Sequence, residues 1–142
     1  MKSIRQILNN KGRTVWSISP NASVYSCIEL MSEKGIGALA VTDNDRLVGI
    51  ISERDYARKV ILKGKASKQT PVSEVMTTGV VTAAESMSVE DAMALMTEQR
   101  IRHLPIVETG RLTGMISIGD LVKARLQNQQ LMIEHLESYI TQ

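Results

Sequence analysis

Apolar and polar positions along this chain recur in the same order at a fixed distance. Sliding the sequence against itself by 65 residues, without a gap, sets residues 15–59 on residues 80–124, and 14 of the 45 pairs are identical. They include Ser23/Ser88, Leu30/Leu95, Ile36/Ile101, Leu39/Leu104, Gly49/Gly114, Ile51/Ile116, Ser52/Ser117 and Asp55/Asp120. Solenoid repeats are shorter, and two copies are too few for an open array. Two units that cover each other's apolar faces are expected instead.

Each copy predicts the same elements. Val15 to Ile18 and Val80 to Thr82 are short runs rich in β-branched residues, suited to buried strands. A helix follows each. Ser88 stands as its N-cap with Asp91 at the capping-box position, ahead of Val89, Ala92, Met93 and Met96 at helical spacing; Ser23 does the same ahead of Val24, Cys27, Ile28 and Met31. Two apolar runs then flank a polar turn, at 43–46 and again at 108–111, and predict β-hairpins. A second helix begins near Glu53 and Ile118. The fold class expected is α+β, with two β-α-β-β-α repeats.

The remaining segments are a leader at 1–14, repeats at 15–62 and 79–125, and a linker at 63–78 that holds a basic loop and the short amphipathic turn 72–76. A helical tail covers 126–142. The helix from Asp120 to Tyr139 meets no Gly or Pro and spans about 30 Å. Leu126, Leu131, Met132, Ile133, Leu136, Tyr139 and Ile140 give this tail more apolar surface than a projecting helix leaves wet, so it is expected to dock on a second copy.

Composition narrows the function. Seventeen Lys and Arg against fifteen Asp and Glu give a net charge of +2, too little to point to nucleic acid or an anionic membrane. No apolar run approaches the length that spans a bilayer, and the opening residues lack an apolar run of signal-peptide length. Cys27 is the only cysteine, so a reducing cytoplasm is expected. It falls on an apolar helix face and reads as a small buried hydrophobe. His103 and His135 lie far apart without a Cys partner, so no zinc site is expected. The basic residues Arg58, Lys59, Lys63, Lys65 and Lys68 lack interleaved aromatics and read as a solvated loop.

The most specific elements are Gly49-Ile-Ile-Ser-Glu-Arg-Asp55 and Gly114-Met-Ile-Ser-Ile-Gly-Asp120. A strand ends at Ser52 and Ser117 and a helix starts just after, so hydroxyl and carboxylate share the first helical turn with free backbone N–H groups. A hydroxyl can bond phosphate or sugar, and a carboxylate accepts from vicinal ribose hydroxyls. The residues alone also allow a plain helix cap. Because the pattern recurs in register, with Arg102-His-Leu-Pro-Ile106 in the second copy, residues 15–125 resemble a tandem pair of cystathionine-β-synthase (CBS) domains, a Bateman module.

That resemblance implies two pseudo-twofold-related repeats packed sheet to sheet, an extended C-terminal helix, and adenosine nucleotides in the clefts between repeats. One cleft would take Ser52, Arg54, Asp55 and Arg58 with Val80, Val81, Ile101, Arg102 and His103. The other would take Ser117, Gly119 and Asp120 with Val15, Trp16, Ile36, Gly37 and Ala38. The first offers more cations for phosphate; the second has Ile118 and Gly119 where the first has Glu53 and Arg54. The expected protein is a non-catalytic, free-standing homodimeric module with no cofactor. Its regulatory ligand would be AMP, ADP, ATP or NAD, and it would signal energy state to an unknown protein in trans. The alternative is a dimerisation module in which nucleotide only stabilises the fold. An enzyme would need a nucleophile with its base or clustered metal carboxylates, and the sequence offers neither.

Overall fold

The computed structural model describes residues 2–140 and resolves them into two units, one around each repeat. The first-repeat unit is Thr14–Val81 with Thr109–Leu112. Its sheet has the order β1-β2-β3: β1 (Ser17–Ile18) runs parallel to β2 (Ala38–Asp43), which pairs antiparallel with β3 (Arg46–Ser52). Asn44 and Asp45 both take the left-handed conformation, at φ 50° and 63°, which lets two residues turn the hairpin with the twist of its strands. Between β1 and β2 lies α2 (Val24–Lys34), capped by the Ser23 side chain and ended by Gly35 at φ 64°. Val24, Cys27 and Met31 of α2 pack with Leu39, Val41 and Ile51 of the sheet. After β3 come α3 (Glu53–Asp55) and a π-helical run, Tyr56–Ile61.

The segment expected as a linker is built into this unit. The amides of Val24 and Tyr25 donate to the carbonyls of Thr70 and Ser67, and those of Val72 and Ser73 donate to Ala22 and Pro20. The turn at 72–76 forms α4 (Val72–Val75), whose Val72 and Val75 are buried in the same core.

The second-repeat unit comprises the residues up to Arg13, Thr82–Glu108, and Thr113 onward. Here α5 (Val89–Gln99), capped by Ser88, precedes the hairpin of β4 (His103–Glu108) and β5 (Arg111–Ser117). Arg100, aligned with Gly35, ends α5 in the left-handed conformation at φ 55°. The strand expected at 80–82 does not form. Pairing begins one residue later, at a parallel bridge between Ala83 and Ile106, the pair that aligns with Ile18 and Val41. In the first repeat only the second half of the 15–18 run pairs.

The segment expected as a leader is an integral part of this unit. It forms α1 (Ile4–Lys11), closed by a capping box between Ser3 and Gln6, with Ile4, Ile7 and Leu8 buried. The amides of Ile4 and Arg5 donate to the carbonyls of Met87 and Glu85. Arg13 and Arg5 also reach the buried carboxylate of Glu85, at 2.8 and 3.6 Å.

The two signature glycines explain these placements. A Cβ on Gly114 would stand 2.6 Å from Leu8 Cδ2, and one on Gly49 would stand 2.7 Å from Met76 Sδ and 3.0 Å from the Thr77 carbonyl. Each glycine therefore seats an apolar side chain from a short helix or its cap against its strand: Leu8 of α1 on β5, and Met76, the C-cap of α4, on β3. The final helix, α6, runs unbroken over Ile118–Ile140 and buries only Leu121 and Ala124.

Candidate functional site

The Ser-x-x-Asp signatures stand at the junctions of β3 with α3 and of β5 with α6. In the first unit the Ser52 hydroxyl accepts from the Asp55 amide at 3.1 Å, while Asp55 Oδ2 accepts from the Ser52 amide at 2.9 Å and from its hydroxyl at 3.0 Å. In the second unit Ser117 Oγ accepts from the Asp120 amide at 3.1 Å, and Asp120 Oδ2 accepts from the Ser117 amide at 2.9 Å. Both are reciprocal boxes that satisfy two helix-terminal donors. The capping reading is thus realised in full, and it fixes each carboxylate in place. An ionised carboxylate has about four lone-pair directions, so capping leaves capacity for further donors.

Each carboxylate also carries a lysine, from a different source. Lys59, one turn on, stands 3.2 Å from Asp55 Oδ1 and donates to the Val75 carbonyl. Asp120 takes Lys11 at 2.8 Å, and the same ammonium donates to the Met115 carbonyl at 2.9 Å. Burial works to raise the Asp120 pKa, but the hydrogen bonds from Lys11 and from the Ser117 amide outweigh it and hold the carboxyl below its usual range. Lys11 lies 109 residues from Asp120 and reaches it only because α1 packs in this unit. No sequence motif marks this lysine.

The other expected site residues are distributed as follows. Arg54 and Arg58 are exposed on the first unit. Gly37, with half-buried Ile36 and buried Ala38, lies beside the first signature, since the Glu53 amide donates to its carbonyl at 3.0 Å. Arg102 lies beside the second signature through the matching bond from Ile118, at 2.9 Å, with half-buried Ile101 and His103 on either side. The structure thus bonds each signature to the loop of its own repeat. Trp16 is 40% exposed, with the Lys34 ammonium 4.3 Å from its ring centroid; Val15, Val80 and Val81 are half-buried. Gly119 is exposed, and a Cβ there would meet only Ser117 Oγ, at 3.6 Å. Among the described residues no group of three His, Cys, Asp or Glu side chains could hold a metal ion, and no helix is long and apolar enough to cross a membrane.

The family model for the CBS domain matches this chain twice, at residues 5–62 and 72–127. Among curated relatives, the mitochondrial CBS domain-containing protein CBSX3 of Arabidopsis thaliana is 35% identical over 148 residues, covering 97% of this chain and 71% of the relative. A solved protein with CBS domains from Burkholderia ambifaria is 51% identical, with a TM-score of 0.87 over 90% of this chain and 96% of its own. The CBS domain pair of protein MJ0100, solved with 5′-methylthioadenosine and S-adenosylmethionine, is 25% identical, with a TM-score of 0.79 over 92% of this chain and 98% of its own. The chain belongs to the CBS-domain family and carries two of these domains in tandem.

Proposed function

We propose that this chain is a non-catalytic regulatory module that binds an adenosine ligand at its Ser-x-x-Asp signatures and, as a homodimer, passes its occupancy to a partner protein in trans. The observation that carries the reading is the fixed, half-buried carboxylate of Asp55, recurring as Asp120, each held by its serine and balanced by a lysine. A carboxylate with free lone pairs suits vicinal ribose hydroxyls, and an ammonium already at 2.8 to 3.2 Å can turn to a phosphate. The adenosine compounds bound by the MJ0100 pair support the same ligand class.

The two signatures differ in the charge around them. Arg54 and Arg58 give the first two exposed guanidiniums for a di- or triphosphate, so ATP, ADP or NAD is assigned to Asp55. Ile118 and Gly119 replace Glu53 and Arg54 at the second, so AMP or an uncharged adenosine compound is assigned to Asp120. Ligand acts on output only through a difference in affinity between two states of the module.

The test is a thermal-shift panel of AMP, ADP, ATP, NAD and S-adenosylmethionine on nucleotide-free protein, on Asp55→Asn and on Asp120→Asn. A ligand at about 100 times its dissociation constant adds about 2.7 kcal/mol, a rise of several degrees for a chain this size. We expect Asp55→Asn to abolish the polyphosphate shift and leave that of AMP. Absence of a shift with every ligand overturns the reading.

A further inference from the structure

From Arg125 to Ile140 every residue of α6 is exposed, a run of about 24 Å at 1.5 Å per residue. A helix of that length without tertiary packing is marginal in water. Its sequence is patterned for contact: Val122, Leu126, Gln129, Ile133, Leu136 and Ile140 follow one another at alternating steps of four and three. This 3.5-residue period is the seam of a coiled coil, with Leu126, Ile133 and Ile140 at its a positions and Val122, Gln129 and Leu136 at d. Its five apolar members are between 43% and 80% exposed.

The flanking positions choose partner and direction. Lys123, Gln130 and Glu137 occupy e, and Arg125, Met132 and Tyr139 occupy g. In a parallel pair e meets g, which sets Glu137 beside the partner's Met132 and stacks two Gln129 side chains in one layer. An antiparallel pair sets e against e and g against g. Lys123 then faces the partner's Glu137, Arg125 faces the partner's Tyr139 ring, and Met132 faces the partner's Met132. The Lys123–Glu137 ion pair forms twice by symmetry. Among the described residues neither Lys123 nor Glu137 is engaged in an ion pair within its own chain.

We infer that α6 packs against α6 of a second copy as an antiparallel coiled coil, with Leu126 opposite the partner's Leu136, Ile133 opposite the partner's Gln129 and Ile140 opposite the partner's Val122. The inference rests on the homodimer reading above and assigns the face and register that make it. The register is held because any slip by a heptad loses an apolar layer and both copies of the Lys123–Glu137 ion pair.

Sedimentation equilibrium on the full chain tests this in three steps. Leu126→Glu with Ile133→Glu alters only exposed positions, so the far-ultraviolet spectrum and the thermal transition of the units are expected to persist while the assembly mass falls twofold. Lys123→Glu alone, or Glu137→Lys alone, is expected to raise the dissociation constant about 3- to 30-fold, and the two together to restore it. A wild-type chain that is monomeric at every concentration overturns both this inference and the homodimer. An assembly whose mass survives the Leu126→Glu, Ile133→Glu change overturns the coiled coil alone. Charge reversal without restoration in the double variant overturns the antiparallel register.

Discussion

Gly114 offers the sharpest test of how the N-terminal helix is held. Its φ lies outside the left-handed region, so alanine fits the backbone. The new methyl would stand 2.6 and 2.7 Å from the two terminal carbons of Leu8 and 3.2 Å from its Cγ. Leu8 is fully buried, and with Cγ also crowded the contact cannot be relieved by swinging the methyls alone. Overpacking of this kind costs about 1–3 kcal/mol, offset by about 0.5–1 kcal/mol from the reduced freedom of the unfolded chain. Gly114→Ala should therefore destabilise by about 0.5–2 kcal/mol, a fall of about 1–8 °C in Tm. Leu8→Ala alone should cost about 2–5 kcal/mol. In that background the clash is gone, so Gly114→Ala should change sign and stabilise by about 0.5–1 kcal/mol. Urea unfolding of the four proteins closes the cycle, with a coupling of about 1–3 kcal/mol expected. Equal destabilisation by Gly114→Ala in both backgrounds would refute the seating of Leu8 on this glycine.

Three further outcomes are expected. Arg100→Gly should raise stability by about 1 kcal/mol, because glycine takes the left-handed cap at φ 55° without the penalty borne by a side chain; an unchanged or lower midpoint in calorimetry contradicts it. Glu85, hydrogen-bonded and paired to Arg13, titrates below its ordinary value of 4.5. Its folded pKa is depressed, so its contribution is complete above 4.5 and is lost as pH falls through the lower, folded value; Glu85→Gln should flatten the slope of stability against pH below 4.5, and an unaltered slope would exclude the pair as its source. Burial, with the Asp55 charge adding to it, pushes the Cys27 thiol up to about 12, so a thiol reagent at pH 8 should label the chain only after unfolding, and stoichiometric labelling of the native protein within minutes would show that the core opens.

Much of this architecture was legible because the two copies share a period of 65. The hairpins could be placed from turn residues that accept the left-handed conformation, and the helices from Ser23 and Ser88 as caps. The role of the first thirteen residues was hidden for a numerical reason. Ile4, Ile7 and Leu8 repeat the spacing of Val72, Val75 and Met76 at an offset of 68, so a gap-free slide by 65 passes over them. Their destination was hidden for a physical one, since only the packed structure shows that a helix preceding one repeat seats on the signature glycine of the other. The strand misplaced at 80–82 reflects the same limit: β-propensity marks residues that suit a sheet, while Ala83, a poorer strand former, makes the bond. At the candidate site, serine and aspartate could be read from the sequence because they are local. Lys11 could not, because its pairing with Asp120 is a product of the fold.

Adenosine-ligand binding at the two signatures is the function proposed for this chain. It is tested most directly by following the backbone amide resonances of the isotope-labelled chain during titration with ATP, AMP and S-adenosylmethionine. Saturable shifts are expected, concentrated at residues 52–58 and 117–120 and lost at 52–58 in Asp55→Asn. Saturation with all three ligands that leaves both sets of amides unmoved would contradict it.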